Sequence, residues 1–185
     1  TTGGLHYRII YLTPYWDPEG GYQFDAVYEA GQALLNEYAT VQKVWAQAST
    51  VHYLPNLSGL LDYLPGEKPV LNKMANWVAD TRLAVRAFGG TSVPSYGQFF
   101  TMGGGEMFRA FDLAQRQGNT AWVGSAELRF PVSRNTSVDA VDHLFSLKNT
   151  YLALFYDVGN TYVNSQALGS TAQGVGVAFG AMFHS

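Results

Sequence analysis

Glu127 and Asp157 are the residues of this chain best suited to acid–base chemistry, because two carboxylates in different surroundings can divide into proton donor and proton acceptor. The other reactive types lack partners. His6, His52, His143 and His184 lie far apart and show no metal-ligand spacing, so they read as isolated polar residues. Ser125 stands two positions from Glu127, but no Gly-x-Ser-x-Gly elbow surrounds it and no histidine is positioned beside it. Gly103-Gly104-Gly105 lacks the strand–glycine–helix context and the following Lys-Ser/Thr of a phosphate cradle, and Gly174-x-Gly176-x-x-x-Gly180 reads as strand glycines. No catalytic constellation emerges, and no metal or cofactor is expected.

Both acids sit on segments that alternate with period 2. In 120–130, Trp122, Ala126, Leu128 and Phe130 share one face while Ser125, Glu127 and Arg129 share the other. In 145–158, Leu152, Leu154, Tyr156 and Val158 oppose Asn149, Ala153 and Asp157, and in 22–31 Tyr22, Phe24, Ala26 and Tyr28 oppose Gln23, Asp25 and Glu29. Segments 5–16 and 81–89 alternate less cleanly, the latter with Arg82 and Arg86 on its polar face; 40–54 is ambiguous, since Lys43 and Trp45 share a face. Segment 174–183 alternates small residues with Val175, Val177, Phe179 and Phe183, a bare second face that suits a crowded neighbour. These seven strands run to about 9 to 14 residues, beyond the usual 5 to 6 of globular strands.

Composition states what kind of molecule would carry such strands. Charged residues make up 14% of the 185, aromatics 15%, there are 20 glycines and no cysteine, and the net charge is −3. An ordinary soluble domain is about 25% charged. No apolar run approaches the roughly 18 residues of a spanning helix, which excludes helical membrane proteins. A transmembrane β-barrel reconciles few charges with near-neutral hydropathy, because its strands alternate lipid-facing and lumen-facing residues. Trp122, Leu128, Leu152, Leu154 and Tyr156 are then expected to face lipid, and Ser125, Glu127, Asn149 and Asp157 the lumen. Tyr11, Tyr15, Trp16, Tyr22, Trp45, Tyr53, Tyr156 and Tyr162, read as lying near strand ends, suit an interface girdle. Without a basic excess, nucleic acid is no partner.

The connections are uneven within this single domain, 1–185. Asp17-Pro18-Glu19-Gly20-Gly21 has the chemistry of a tight turn. Segment 56–77 is long, and 70–78 within it predicts a short amphipathic helix carrying Leu71, Met74 and Trp77. Segment 90–118 is the longest stretch with no strand pattern.

Inside that stretch stands Met102-Gly103-Gly104-Gly105-Glu106-Met107-Phe108-Arg109-Ala110-Phe111. It resembles the GG…(V/L)RG(F/Y) signature of the bacterial surface antigen superfamily, the outer-membrane assembly factors of the BamA and TamA type and the related two-partner-secretion transporters. Gly124-Ser125-Ala126-Glu127, Leu128-Arg129-Phe130-Pro131 and Phe155-Tyr156-Asp157-Val158-Gly159-Asn160 resemble that family's wall motifs, in the same order. Ala110 stands where the family has glycine. The resemblance covers residues 5–183 and implies the C-terminal half of a barrel of about 16 strands, with about eight strands here. It also implies that 90–118 folds into the lumen, where Arg109 meets the acidic partners Glu127 and Asp157. A structural ion network then replaces the acid–base pair. Segment 56–77 becomes a long periplasmic connection, and the chain, which stops at Phe183-His184-Ser185 before a final strand is complete, reads as a fragment.

The expected function is that of a bacterial outer-membrane assembly factor, not an enzyme, which inserts or translocates β-rich polypeptides while Arg109 locks the internal loop. Its partners would be the lipid bilayer, client outer-membrane polypeptides and other subunits of an outer-membrane complex. A barrel anchor or pore without assembly activity is the alternative, and a soluble ligand-binding barrel of lipocalin type the third reading.

Overall fold

The computed structural model describes residues 2–12, 20–32, 40–55, 69–93, 100–104, 108–109, 111–133, 138–140 and 145–184. The chain is all-β, with one short helix among the described residues. In order, the elements are β1 (Thr2–Ile10), β2 (Gly21–Gln32), β3 (Thr40–Tyr53), α1 (Pro69–Ala79), β4 (Arg82–Val93), β5 (Phe100–Met102), β6 (Arg116–Gly118), β7 (Thr120–Ser133), β8 (Val138–Ala140), β9 (Phe145–Val163), β10 (Gln166–Ala167) and β11 (Ala172–His184).

Nine of these strands form one antiparallel sheet along the path β1-β2-β3-β4-β7-β9, with β11, β10 and β8 also paired to β9; β5 and β6 pair separately. In this meander each long strand pairs with the next in sequence, since antiparallel neighbours need no crossover between them, whether the link is a turn or a long connection. Among the described residues no pairing joins β1 to β11, so the sheet is open rather than closed into a barrel. The tight turn expected at 17–21 falls mostly outside the described residues. At its edge Gly21 has φ 116°, and a Cβ there would strike the Tyr11 carbonyl.

Two expectations about extent are corrected. Residues 90–93 continue β4, and the 90–118 stretch contains β5 and β6. Strands of three residues are too short to display an alternation, which is why they leave no mark in the sequence. Within 56–77, the described part is α1, which starts at Pro69, where a missing N–H costs nothing. It ends where Thr81 Oγ1 donates to the Trp77 carbonyl at 3.1 Å and Thr81 N to the Val78 carbonyl at 2.9 Å. Residues 56–68 lie outside the described set. Because Tyr53 pairs with Arg82 and Gln42 with Val93, the connection carrying α1 and the connection 94–119 leave β4 at opposite ends.

The register sorts every side chain onto one of two faces. Asp157 lies opposite Ser125 and Ser125 opposite Arg86; Arg86 faces Ser49, Ser49 faces Gln23, and Asp25 faces Arg8. This polar set forms the loop face, so called because the described part of the 94–119 connection packs on it over β4, β7 and β9. Tyr156 lies opposite Ala126 and Val175, Leu154 opposite Leu128 and Val177, and Leu152 opposite Phe130 and Phe179. That apolar set forms the outer face, and no described element covers most of it. Leu5 at 77%, Val175 at 77% and Phe179 at 67% exposure belong to it, as do the exposed Tyr7, Tyr22, Leu152, Leu154 and Tyr156.

The core lies on the loop face. Phe108 and Met102, both fully buried, pack with Phe88, Phe100, Ala121, Val123 and Ala172, flanked by Trp45 and Phe111. Trp45 is therefore not a girdle residue. Its ring centroid is 6.2 Å from that of Phe88, and Lys43 on the same face reaches over the Phe100 ring. The face of β3 on which Lys43 and Trp45 lie together is the one on which the loop packs.

Candidate functional site

The site is the place where the 94–119 connection meets the wall formed by β7 and β9. After β5 the chain turns at Gly103 (φ 119°) and Gly104 (φ 75°), conformations that side-chain-bearing residues rarely adopt. A Cβ at Gly103 would strike the Asp112 carbonyl oxygen, and one at Gly104 would lie 2.6 Å from Leu113 Cα. Gly104 N donates to the Phe111 carbonyl at 2.9 Å, closing the turn around the segment that carries Phe108 and Arg109. Phe108 enters the core with its ring 4.7 Å from that of Phe111, and Arg109 is thereby aimed at the wall. Ala110, the departure from the family signature, lies outside the described residues, as does Gly105.

Arg109 spends most of its donors on the wall. Its Nε and Nη2 reach Asp157 Oδ2 and Oδ1 at 3.1 and 2.8 Å, a bidentate pairing, and its backbone N donates to Oδ2 at 3.0 Å. Nη1 donates to Glu127 Oε2, and Nη2 also reaches Ser125 Oγ at 2.9 Å. Ser125 Oγ in turn donates to Asp157 Oδ1 at 2.6 Å, and Arg129 Nε holds the second oxygen of Glu127 at 2.7 Å. Two guanidinium groups thus balance two carboxylates, with Asp157 only 1% exposed. Such charge-assisted bonds strengthen where water is scarce, and removing one partner of a buried pair costs about 3 to 5 kcal/mol because the other charge is left uncompensated.

Phe155 completes the site. The Arg109 Cζ lies 3.8 Å from the centroid of its ring, a cation–π contact. The ring is itself accommodated by the neighbouring strand, for a Cβ on Gly176 would strike it, just as one on Gly180 would strike Tyr151. Gly159 makes room for Met102, whose Sδ would lie 3.0 Å from an added Cβ. The bare face of β11 and the small residues of the Phe155–Asn160 motif are thus where the sheet receives rings and loop.

The structure brings Arg109, Glu127 and Asp157 together, and Phe108, Phe111, Gly103 and Gly104 shape the turn that presents Arg109. Ser125, weighed as a lone nucleophile, is a link between Arg109 and Asp157. Sequence reasoning missed Phe155 and Gly176 as parts of the site; the alternation of glycine with large residues in 174–183 was the available signal. It also misread His6, which is not isolated: it pairs with Asp25, whose other oxygen accepts from Arg8 Nε at 2.9 Å and Gln23 Nε2 at 3.3 Å. This second ion cluster lies on the loop face near the β1 edge. His52 meets Thr50 Oγ1 at 2.7 Å; the side chains of His143 and His184 lie outside the described residues. Among the described residues no group of three His, Asp or Glu side chains is placed to hold a metal.

A cavity of about 280 Å³ adjoins the network, lined by Ser49, Arg86, Arg109, Ser125, Glu127 and Arg129 among others. The arrangement defines a class of architecture, an apolar-outside sheet with a loop anchored across its charged face by one arginine. No protein-family model and no curated protein matches the chain.

Proposed function

We propose that this chain is a barrel wall of the bacterial outer membrane, in the manner of the surface antigen superfamily that its motifs resemble, and that it serves an assembly factor that inserts or translocates β-rich polypeptides. One observation carries the membrane reading: the apolar face of the sheet is exposed along its length, while the loop packs on the opposite, charged face over β4, β7 and β9. A soluble protein seldom exposes a contiguous apolar patch beyond a few hundred Å², because each exposed Å² forfeits about 25 cal/mol of burial. Lipid removes that penalty. The same observation weighs against a lipocalin-type barrel, in which apolar residues would line the interior.

The Arg109 network supports a mechanical rather than chemical role. It joins a loop to a wall non-covalently, with neither acid free to exchange protons with a substrate, so it acts as a lock on lumen shape. In an assembly factor the lock would hold the loop while client strands pair at the barrel seam.

The test has two arms. The full-length protein should fractionate with the outer membrane and migrate faster on a gel unless heated, as closed barrels do. In cells depleted of the native copy, Arg109→Ala should leave the barrel inserted but lower the yield of other outer-membrane barrels. Normal client yield with a folded Arg109→Ala barrel would favour the anchor or pore reading, and extraction without detergent would refute the membrane reading.

A further inference from the structure

Helix α1 exposes apolar side chains beside the outer face. At 3.6 residues per turn, Trp77, Val70, Met74, Val78 and Leu71 fall within an arc of about 120°. Val70 is 69% and Met74 58% exposed, and Leu71 and Trp77 are also exposed, whereas Ala75, on the adjacent side, is the helix residue buried against the rest of the chain. Asn72, Lys73 and Asn76 occupy the remaining side. The stripe is continuous with the sheet: the Trp77 ring stacks on Phe130, an outer-face residue, with centroids 5.1 Å apart and planes 14° apart, and its Nε1 donates to the Pro131 carbonyl at 3.2 Å.

We infer that α1 is an interfacial helix, lying at the headgroup level of the phospholipid leaflet at its end of the sheet with Val70, Leu71 and Met74 dipped into the acyl boundary. Three features select lipid over a protein partner. The exposed stripe joins the outer face without a break, through Trp77 and Phe130, so whatever solvates that face reaches the helix. Tryptophan is the residue most at home at that depth, one side apolar and its N–H bonded. The helix carries one charge, Lys73, which lies outside the stripe, so Val70, Leu71 and Met74 can enter the acyl boundary without burying a charge. The inference rests on the membrane-spanning reading of the outer face and specifies how the 69–79 segment meets that membrane.

The chain has no cysteine, so single labels are clean. The full chain would be placed in vesicles of phosphatidylcholine and phosphatidylglycerol, with an environment-sensitive dye on Met74→Cys, Asn76→Cys or Leu154→Cys and quenchers attached to lipid at shallow or deep positions. The expected result is several-fold stronger quenching at Met74→Cys than at Asn76→Cys, greatest with the shallow quencher, and deep quenching at Leu154→Cys. Quenching at Leu154→Cys with none at Met74→Cys overturns the interfacial helix while leaving the spanning sheet intact, and marks the stripe as a protein-docking face. No quenching at Leu154→Cys removes both readings together.

Discussion

Arg109 sits over the ring of Phe155, Cζ to centroid 3.8 Å, while its fork grips Asp157 two residues further along the same strand. One side chain of β9 thus supplies the charge that holds the arginine and another supplies the surface on which it rests. The pairing depends on both lying on the loop face, and the alternation of β9 puts them there.

Loss of the fork should release the loop. Arg109→Lys keeps one positive charge but cannot bond Asp157 bidentately and reach Glu127 and Ser125 together. Arg109→Ala is expected to lower the stability of the anchored loop by about 3 to 5 kcal/mol, with Arg109→Lys intermediate. Limited proteolysis of the folded protein, following cleavage within 94–119, measures the release; unchanged protection in both variants would refute the anchor.

Gly176 should be coupled to Arg109 although the two do not touch. In Gly176→Val the new side chain strikes the Phe155 ring, which has to shift from beneath the guanidinium. A double-mutant cycle between Gly176→Val and Arg109→Ala is expected to show a coupling of about 0.5 to 3 kcal/mol. Phe155→Leu should relieve part of the cost of Gly176→Val. Additive effects would mean that Phe155 contributes packing alone.

The two faces should respond in opposite ways to charge. Leu154→Arg places a guanidinium on the outer face, at an expected cost of about 2 to 4 kcal/mol near the bilayer midplane. Gln47→Arg, on the loop face, is expected to cost less. Urea titration of the protein in vesicles compares them, and equal costs would argue for a solvated outer face.

The opposite placement of the two long connections gives a topology test. If 94–119 begins on the extracellular side, Lys73 on α1 is periplasmic. Protease should then spare the 69–79 segment in intact cells and cut it in opened ones, and cleavage at Lys73 from outside would reverse the topology.

Strand phase and helix position were legible in the sequence because both are properties of a continuous stretch of chain. The parity of Glu127 and Asp157, the apolar faces of β2, β7 and β9, and a helix bearing Leu71, Met74 and Trp77 all follow from local periodicity. Tertiary structure alone decided which residues share the site. That Ser125 faces Asp157, that the Phe155 ring fills the space above Gly176, and that His6 meets Asp25 depend on the register between separate strands. That Trp45 faces a loop core rather than an interface depends on the path of the 94–119 connection across the sheet. A period shows which side of its own strand a residue occupies; the partner across the gap is set by where other strands and loops come to lie, through long-range contacts that no single segment encodes.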